Sequence, residues 1–435
     1  DHLLPSVYLF SVHPRAEFSR RLHPKKGMAS STSMTVAAAV LVVVLAAAQP
    51  AWAAGSACYS RVFSFGDSLA DTGNYRFVFS NDTRAPVLWP PYGETYFHNA
   101  TGRFSNGRIL IDFIADALGL PFVPPYWGGR SAEYFAGGAN FAVGGATALS
   151  PEFFRQNGAP LANDKTVHLD MEMDWFRTLL NLLCPNDTAG CTNVMNNSLF
   201  LVGEIGGNDY NLPFFAGVPF HKIRTFTPSV IAKISSTITE LIGLGAKTLL
   251  VPGNLPIGCV PTYLMRFKSD KKEDYDPETG CLRSMNEFSE YHNKLLADEL
   301  EELRKLHPGV AIIYADYYGA AMEIFLHPKK SVALAKIKDN RTSTIEYPLV
   351  ACCGGGETYG VSSARCGRGE YKVCDDPQKY GSWDGLHPSE AAYKVIADGL
   401  LRGSYTRPPI AINTNSCPQL TEVVSPVEFK VLYDL

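Results

Sequence analysis

The chain has 435 residues, 46% of them hydrophobic and 19% charged, with a formal net charge of −4 and an isoelectric point near 6.2. This is ordinary globular composition. It carries neither the basic footprint of a nucleic-acid binder nor a run of like charges that would read as an interaction tail.

The chain opens on Asp1, so residues 1–27 read as an upstream extension, with Met28 or Met34 as the initiator. Val36 to Ala48 is an unbroken apolar run of 13 residues, followed by Gln49, Pro50 and the small-residue pattern Ala51-Trp52-Ala53. A membrane-spanning helix needs about 20 apolar residues. The run therefore reads as a secretory signal peptide over residues 28–54, cut after Ala53 or Ala54. No other span is long enough to cross a bilayer, so no integral membrane segment is expected.

Beyond that point, apolar β-branched runs alternate with stretches of helical period. Val62–Phe65 reads as a buried strand, followed at once by Gly66-Asp67-Ser68-Leu69. Helices are expected over Ile109–Leu118, Leu169–Leu183, Pro228–Leu244, Arg283–Leu306 and Ser389–Leu401. Thr227-Pro228 supplies a cap and a first-turn proline, and Ser389 a second cap. Further strands are expected near Phe122–Val123 and over Ser198–Glu204, Thr248–Val251 and Val310–Tyr314. Strands alternating with helices imply parallel pairing with right-handed crossovers, here in one large domain of about five strands. The loops at 80–104, 124–165 and 339–382 are long enough to be functional or stapled by disulfides. The tail after Tyr405 shows no period.

All ten cysteines follow the cleavage site, an even count that argues for disulfides in a secreted chain. The Cys184/Cys191 spacing and the group Cys352, Cys353, Cys366 and Cys374 suggest local bridges. No Cys-x2-Cys pair or Cys/His spacing of the zinc type occurs, and no metal is expected. Five sequons, at Asn81, Asn99, Asn186, Asn196 and Asn340, add to the case for the secretory route and for surface loops.

Four separated segments carry the chemistry. A serine hydroxyl becomes a nucleophile when a base lies within hydrogen-bond reach and a third group orients that base. Ser68 sits in a turn after a strand, at the carboxyl edge of an open sheet where ligands bind. His387 supplies an imidazole suited to taking and returning a proton. Asp384, three residues earlier, reaches the other ring nitrogen from the same loop. The oxyanion of acyl transfer needs preorganised donors: the Ser68 N–H, the Gly145 N–H and the Asn208 amide. Taken singly, Ser68 suits a helix cap, Asp384 a turn, and Asn208 a bond to its own loop. Together they read as a site. Asp67, Asp71 and Asp209 read as loop braces, and His168, His221, His292, His307 and His327 as structural or solvated. Of the aromatics near these segments, Trp89, Tyr92, Tyr126, Trp127 and Trp383 could line an acyl pocket, with buried packing as the default. The Gly-x-Ser-x-Gly elbow of the other large hydrolase fold is absent.

Gly66-Asp67-Ser68-Leu69 with Asp71-Thr72-Gly73-Asn74, Gly138-Ala139-Asn140-Phe141-Ala142, Gly206-Gly207-Asn208-Asp209 and Asp384-Gly385-Leu386-His387-Pro388 resemble, in order, the four blocks of the GDSL esterase/lipase family of the SGNH hydrolases, with Gly145 aligned as the oxyanion glycine. Pro90-Pro91-Tyr92-Gly93, Gly102–Arg108 and Asn254–Cys259 are similar to its secreted plant branch. The resemblance spans about Arg61 to Leu401. It implies an α/β fold, a three-layer α/β/α sandwich with a central parallel, flavodoxin-like sheet, over a hydrolase domain at residues 55–404 with a tail at 405–435. It implies ester hydrolysis through an acyl-enzyme on Ser68, His387 and Asp384, without metal or organic cofactor. The expected partner is a small-molecule or polysaccharide ester, not nucleic acid. A secreted monomer is expected, placed outside the cell, in the wall or in the vacuole. The alternatives are an acyltransferase using the same residues and an inactive binding or defence protein on the same fold.

Overall fold

The computed structural model describes residues 59–410, apart from 81, 83–84, 186–187, 329–343, 357 and 363. The signal peptide, Cys58, Cys417, the sequons at Asn81, Asn186 and Asn340 and most of the tail lie outside the described residues.

Strand β1 (Arg61–Phe65) has Val62, Phe63, Ser64 and Phe65 all buried, the signature of a parallel strand covered on both faces. Four more strands follow: β2 (Gly138–Asn140), β3 (Ser198–Val202), β4 (Thr248–Pro252) and β5 (Ala311–Ala315). They pair in parallel in the order β5-β4-β3-β1-β2. Phe63 stands opposite Phe200, and Leu249 opposite Ile312. A two-residue strand, Thr406–Arg407, adds an antiparallel sixth member beside β5. The chain thus places β2 on one side of β1 and β3 on the other. That reversal is a topological switch, and crevices open at such points beyond the carboxyl ends of the strands.

Alternate residues of each strand feed opposite layers. Phe63, Phe65, Phe200, Leu249, Val251 and Ile312 pack with the helices Leu169–Leu183, Thr227–Gly243 and Arg283–Leu306. Val62, Leu199, Leu201, Leu250 and Ile313 pack with Leu110–Ala117, Tyr317–Leu326 and Glu390–Leu401. The result is the three-layer α/β/α sandwich. Each fully buried Phe or Leu in these layers contributes about 1.5–3 kcal/mol relative to exposure.

Two expectations are corrected. Phe122–Val123 forms no strand; the edge strand is Gly138–Asn140, three residues long and without a β-branched residue. Thr227 does not cap its helix but starts it, with Phe226 at the cap position and no side-chain cap bond. The five parallel strands match the expected sheet of about five, and the short antiparallel Thr406–Arg407 makes the sixth among the described residues. Ser389 does cap the last helix, its Oγ accepting from the Ala392 N–H at 3.1 Å. No helix of the described residues is long and apolar enough to cross a membrane.

Among the described residues, four disulfides join Cys184–Cys191, Cys259–Cys281, Cys352–Cys374 and Cys353–Cys366. The Cys259–Cys281 bridge went unread in the sequence. The last two pin the loop before Asp384, and with Tyr92 and Trp383 they form a small core of their own. Loops of 22 and 13 residues closed this way contribute about 3 kcal/mol each. Asn99 and Asn196 are exposed, as glycan acceptors must be.

Candidate active site

The turn after β1 is built from glycine and buried carboxyls. Gly66 has φ +133°, and a Cβ there would stand 2.9 Å from the Glu204 carbonyl oxygen. Only glycine fits both the conformation and the space. The Gly66 N–H donates to Glu172 Oε2 at 2.8 Å, and the Asp67 N–H to the Glu204 carbonyl at 3.2 Å. The Asp67 carbonyl then accepts from Ala70 and Asp71, closing a turn with Ser68 at its apex. Asp71 is the brace of the next loop: its carboxylate accepts from the N–H groups of Gly73, Asn74, Tyr75 and Gly144. Asp209 accepts from Ala148 and Leu149.

On the far side of the crevice, Asp384 and His387 sit in one tight turn. Asp384 Oδ1 accepts from the Leu386 and His387 N–H groups at 3.0 and 2.8 Å. Gly385 turns the chain with φ +92°, and a Cβ there would meet Val361 at 2.6 Å. The Trp383 N–H closes the loop onto the His387 carbonyl at 2.8 Å. This places Asp384 Oδ2 2.7 Å from His387 Nδ1, and His387 Nε2 2.9 Å from Ser68 Oγ. Residues 319 positions apart thus meet in one chain of hydrogen bonds.

Tyr92 completes this chain. Its hydroxyl donates to Asp384 Oδ2 at 2.8 Å, and its ring meets that of Trp383 edge-on at 6.0 Å. The sequence offered Tyr92 only as a pocket wall or a packing aromatic; nothing local announces a partner 292 residues away. Burial alone would raise the Asp384 carboxyl. The charge of His387 and the hydrogen bonds of the turn more than offset this and hold it at about 2, ionised at any working pH. Burial, reinforced by the charge of Asp384, pushes the Tyr92 phenol well up, so it remains a donor.

Asn208 is the second residue of the helix Gly207–Phe215 and points toward Ser68's turn. Its amide Nδ2 donates to Asp67 Oδ2 at 2.8 Å and to the Ala146 carbonyl at 3.1 Å. Both amide hydrogens therefore have partners. The Gly144 N–H is committed to Asp71, whereas no partner for the Gly145 or Ser68 N–H occurs among the described residues. Gly145 has φ +84°, with open space where a Cβ would stand.

The carboxyls under the turn form a buried acidic group. Burial raises Asp71 to about 6 and Asp209 to about 7, and it drives Asp67, Glu172 and Glu204 upward. His292, lowered to about 3 by burial, is a neutral core residue bonded to the Tyr210 hydroxyl at 2.8 Å.

A cavity of about 770 Å³ opens on His387 and Asp384. Tyr75, Tyr92 and Phe104 form its inner wall, and the Phe104 ring lies 4.8 Å from the imidazole. Of the five aromatics proposed from sequence, only Tyr92 lines it. Trp89 is exposed, Trp383 is wholly buried, and Tyr126 and Trp127 pack on Trp175. Phe104 lies within the Gly102–Arg108 block, which was the one signal for it; Tyr75 carried none. No group of side chains suited to hold a metal ion occurs among the described residues.

Comparison with known proteins places these features in context. The family model described as GDSL-like lipase/acylhydrolase matches residues 62–400. A GDSL esterase/lipase of Arabidopsis thaliana is 48% identical over 352 residues, covering 81% of this chain and 86% of the relative. A second from the same plant is 47% identical over 352 residues, covering 81% and 84%. The sinapine esterase of Brassica napus is 44% identical over 352 residues, covering 80% and 87%.

Proposed function

The chain belongs to the GDSL-like lipase/acylhydrolase family, and on that premise we propose that it is a secreted serine esterase that cleaves carboxylic esters through an acyl-enzyme on Ser68. The observation that carries this is the unbroken path from Asp384 through His387 to Ser68, with links of 2.7 and 2.9 Å.

Ser68 Oγ attacks the ester carbonyl while His387 Nε2 takes its proton. Asp384, ionised and fixed by two backbone donors, holds the imidazole with Nδ1–H toward itself and stabilises the imidazolium. His387 then returns the proton to the leaving alcohol. Water, activated by the same imidazole, releases the acid. The oxyanion is held by the Ser68 and Gly145 N–H groups, which are uncommitted among the described residues. Asn208 is the third donor. It must give up or share its bond to Asp67 or to the Ala146 carbonyl when the oxyanion forms. The four disulfides and the exposed sequons at Asn99 and Asn196 support passage through the secretory route.

The test is turnover of p-nitrophenyl acetate by the purified mature protein and its Ser68→Ala variant, alongside labelling with a fluorophosphonate. Turnover and labelling are expected in the native protein, and neither in the folded variant. Activity retained by Ser68→Ala would overturn the assignment. Running the same assay with an added acceptor alcohol separates hydrolysis from acyl transfer; transfer dominating in dilute alcohol would replace the esterase label with that of an acyltransferase.

A further inference from the structure

The cavity beside His387 is lined unevenly. Its volume of about 770 Å³ lies within the range of small-molecule sites. Next to the imidazole, the wall is aromatic. Beyond that wall, three arginines contribute to the lining, Arg266, Arg365 and Arg368, all exposed. Arg266 is fixed by Phe215, donating to its carbonyl at 2.6 Å with the guanidinium 5.7 Å from the ring centre. Among the described residues, no carboxylate forms an ion pair with any of the three. The acids on the lining are two. Asp82 has the Tyr75 hydroxyl at 3.4 Å and a further partner, and Asp384 is taken up by His387 and Tyr92. This local excess of positive charge stands on a chain whose formal net charge is −4.

We propose that this cleft selects esters carrying a carboxylate remote from the scissile carbonyl, with the aromatic wall holding the stretch between the two and Arg365 and Arg368 receiving the anion. Guanidinium groups match carboxylates in shape and charge. A charged rim around a low-dielectric wall also raises the local concentration of the opposite charge. An ester of a quaternary ammonium alcohol seated in this cleft would meet like charge. The inference rests on Ser68 and His387 being the reacting pair.

The test uses two charge-matched sets on the mature protein, each rate divided by that of hydroxide-catalysed hydrolysis of the same ester. For the alcohol side the set is 4-acetoxybenzoate, its neutral methyl ester and 4-(trimethylammonio)phenyl acetate. For the acyl side it is mono(4-nitrophenyl) glutarate and 4-nitrophenyl butyrate. On at least one side, the anionic ester is expected to exceed the neutral one at least about tenfold in kcat/KM, the scale of one charge-assisted hydrogen bond. The advantage should shrink with added salt. It should collapse toward parity in the double variant Arg365→Gln/Arg368→Gln and turn in favour of the cationic ester in Arg365→Glu/Arg368→Glu. These are ratios within one preparation, so they do not depend on how much of a variant folds. Parity on both sides in the native protein, or a preference that survives in both double variants, would overturn the proposal while leaving the esterase reading intact. No turnover of any ester, together with no fluorophosphonate labelling of Ser68, would overturn both.

Discussion

Replacing Asp384 with asparagine tests the proposed mechanism at one atom. Asp384 Oδ1 accepts from two backbone N–H groups at 3.0 and 2.8 Å, and an amide nitrogen cannot take that place. In Asp384→Asn the carbonyl oxygen therefore stays on the turn, and the NH2 group occupies the Oδ2 position, facing His387 Nδ1 and the Tyr92 hydroxyl. The amide then donates to Nδ1, which fixes the imidazole as the Nε2–H tautomer. Its proton points at Ser68 Oγ, so the ring can no longer act as base. Loss of the correct tautomer with retained geometry costs about 10⁴-fold in kcat, roughly 5 kcal/mol of barrier. The assay is steady-state hydrolysis of p-nitrophenyl acetate at neutral pH, with fluorophosphonate labelling of Ser68 as an independent measure of nucleophilicity. Both rates should fall together while KM changes far less. A variant within about tenfold of the native kcat would refute the reasoning, because the imidazole would then find its tautomer without Asp384.

Tyr92→Phe removes one of the four hydrogen bonds that Asp384 accepts, and a bond to a charged group is worth about 1.5–3 kcal/mol. Its kcat should fall roughly tenfold with the fold intact; an unchanged kcat would reduce Tyr92 to packing. Asn208→Ala should lower kcat by about a hundredfold or more with little change in KM, and an unchanged rate would remove Asn208 from the oxyanion site. Stability should depend on pH in two directions. Burial raises Asp71 to about 6 and Asp209 to about 7, so their contribution is fully present below the ordinary 3.8 and is lost as pH rises through 6 to 7. Asp384, held at about 2, contributes above 3.8 and loses that contribution as pH falls toward 2. The melting temperature should therefore be highest near pH 4 and decline toward pH 8; a scan showing greater stability at pH 8 than at pH 5 would contradict this.

The parts of the fold that were legible are those whose residues declare their own environment. β1 reads as buried because four successive residues are apolar or small, and Leu169–Leu183 and Arg283–Leu306 carry a helical apolar stripe over their whole length. Gly138–Asn140 could not be read, since a three-residue edge strand starting with glycine is held by its partner β1 and not by its own propensity. The helix Gly207–Phe215 was hidden by a glycine start and by Pro213 within it. For the site, Ser68, Asp384 and His387 stood out because the Asp-x-x-His spacing and the Gly-Asp-Ser turn are local. The Tyr92–Asp384 bond, the double engagement of Asn208 and the arginines over the cleft depend on loops that meet only in the folded chain.

The separation of Ser68 from His387 also has a consequence for biosynthesis. The serine leaves the ribosome early, yet its base lies 319 residues later. At about 5–20 residues per second, that interval is roughly 16–64 s of translation. Throughout it, the nascent chain holds Ser68 without the base proposed for it, so on the proposed mechanism an incomplete chain is expected to be inert toward esters. On that mechanism, competence arrives with the Asp384–His387 turn, and a product truncated ahead of Asp384 is expected to be silent in the esterase assay.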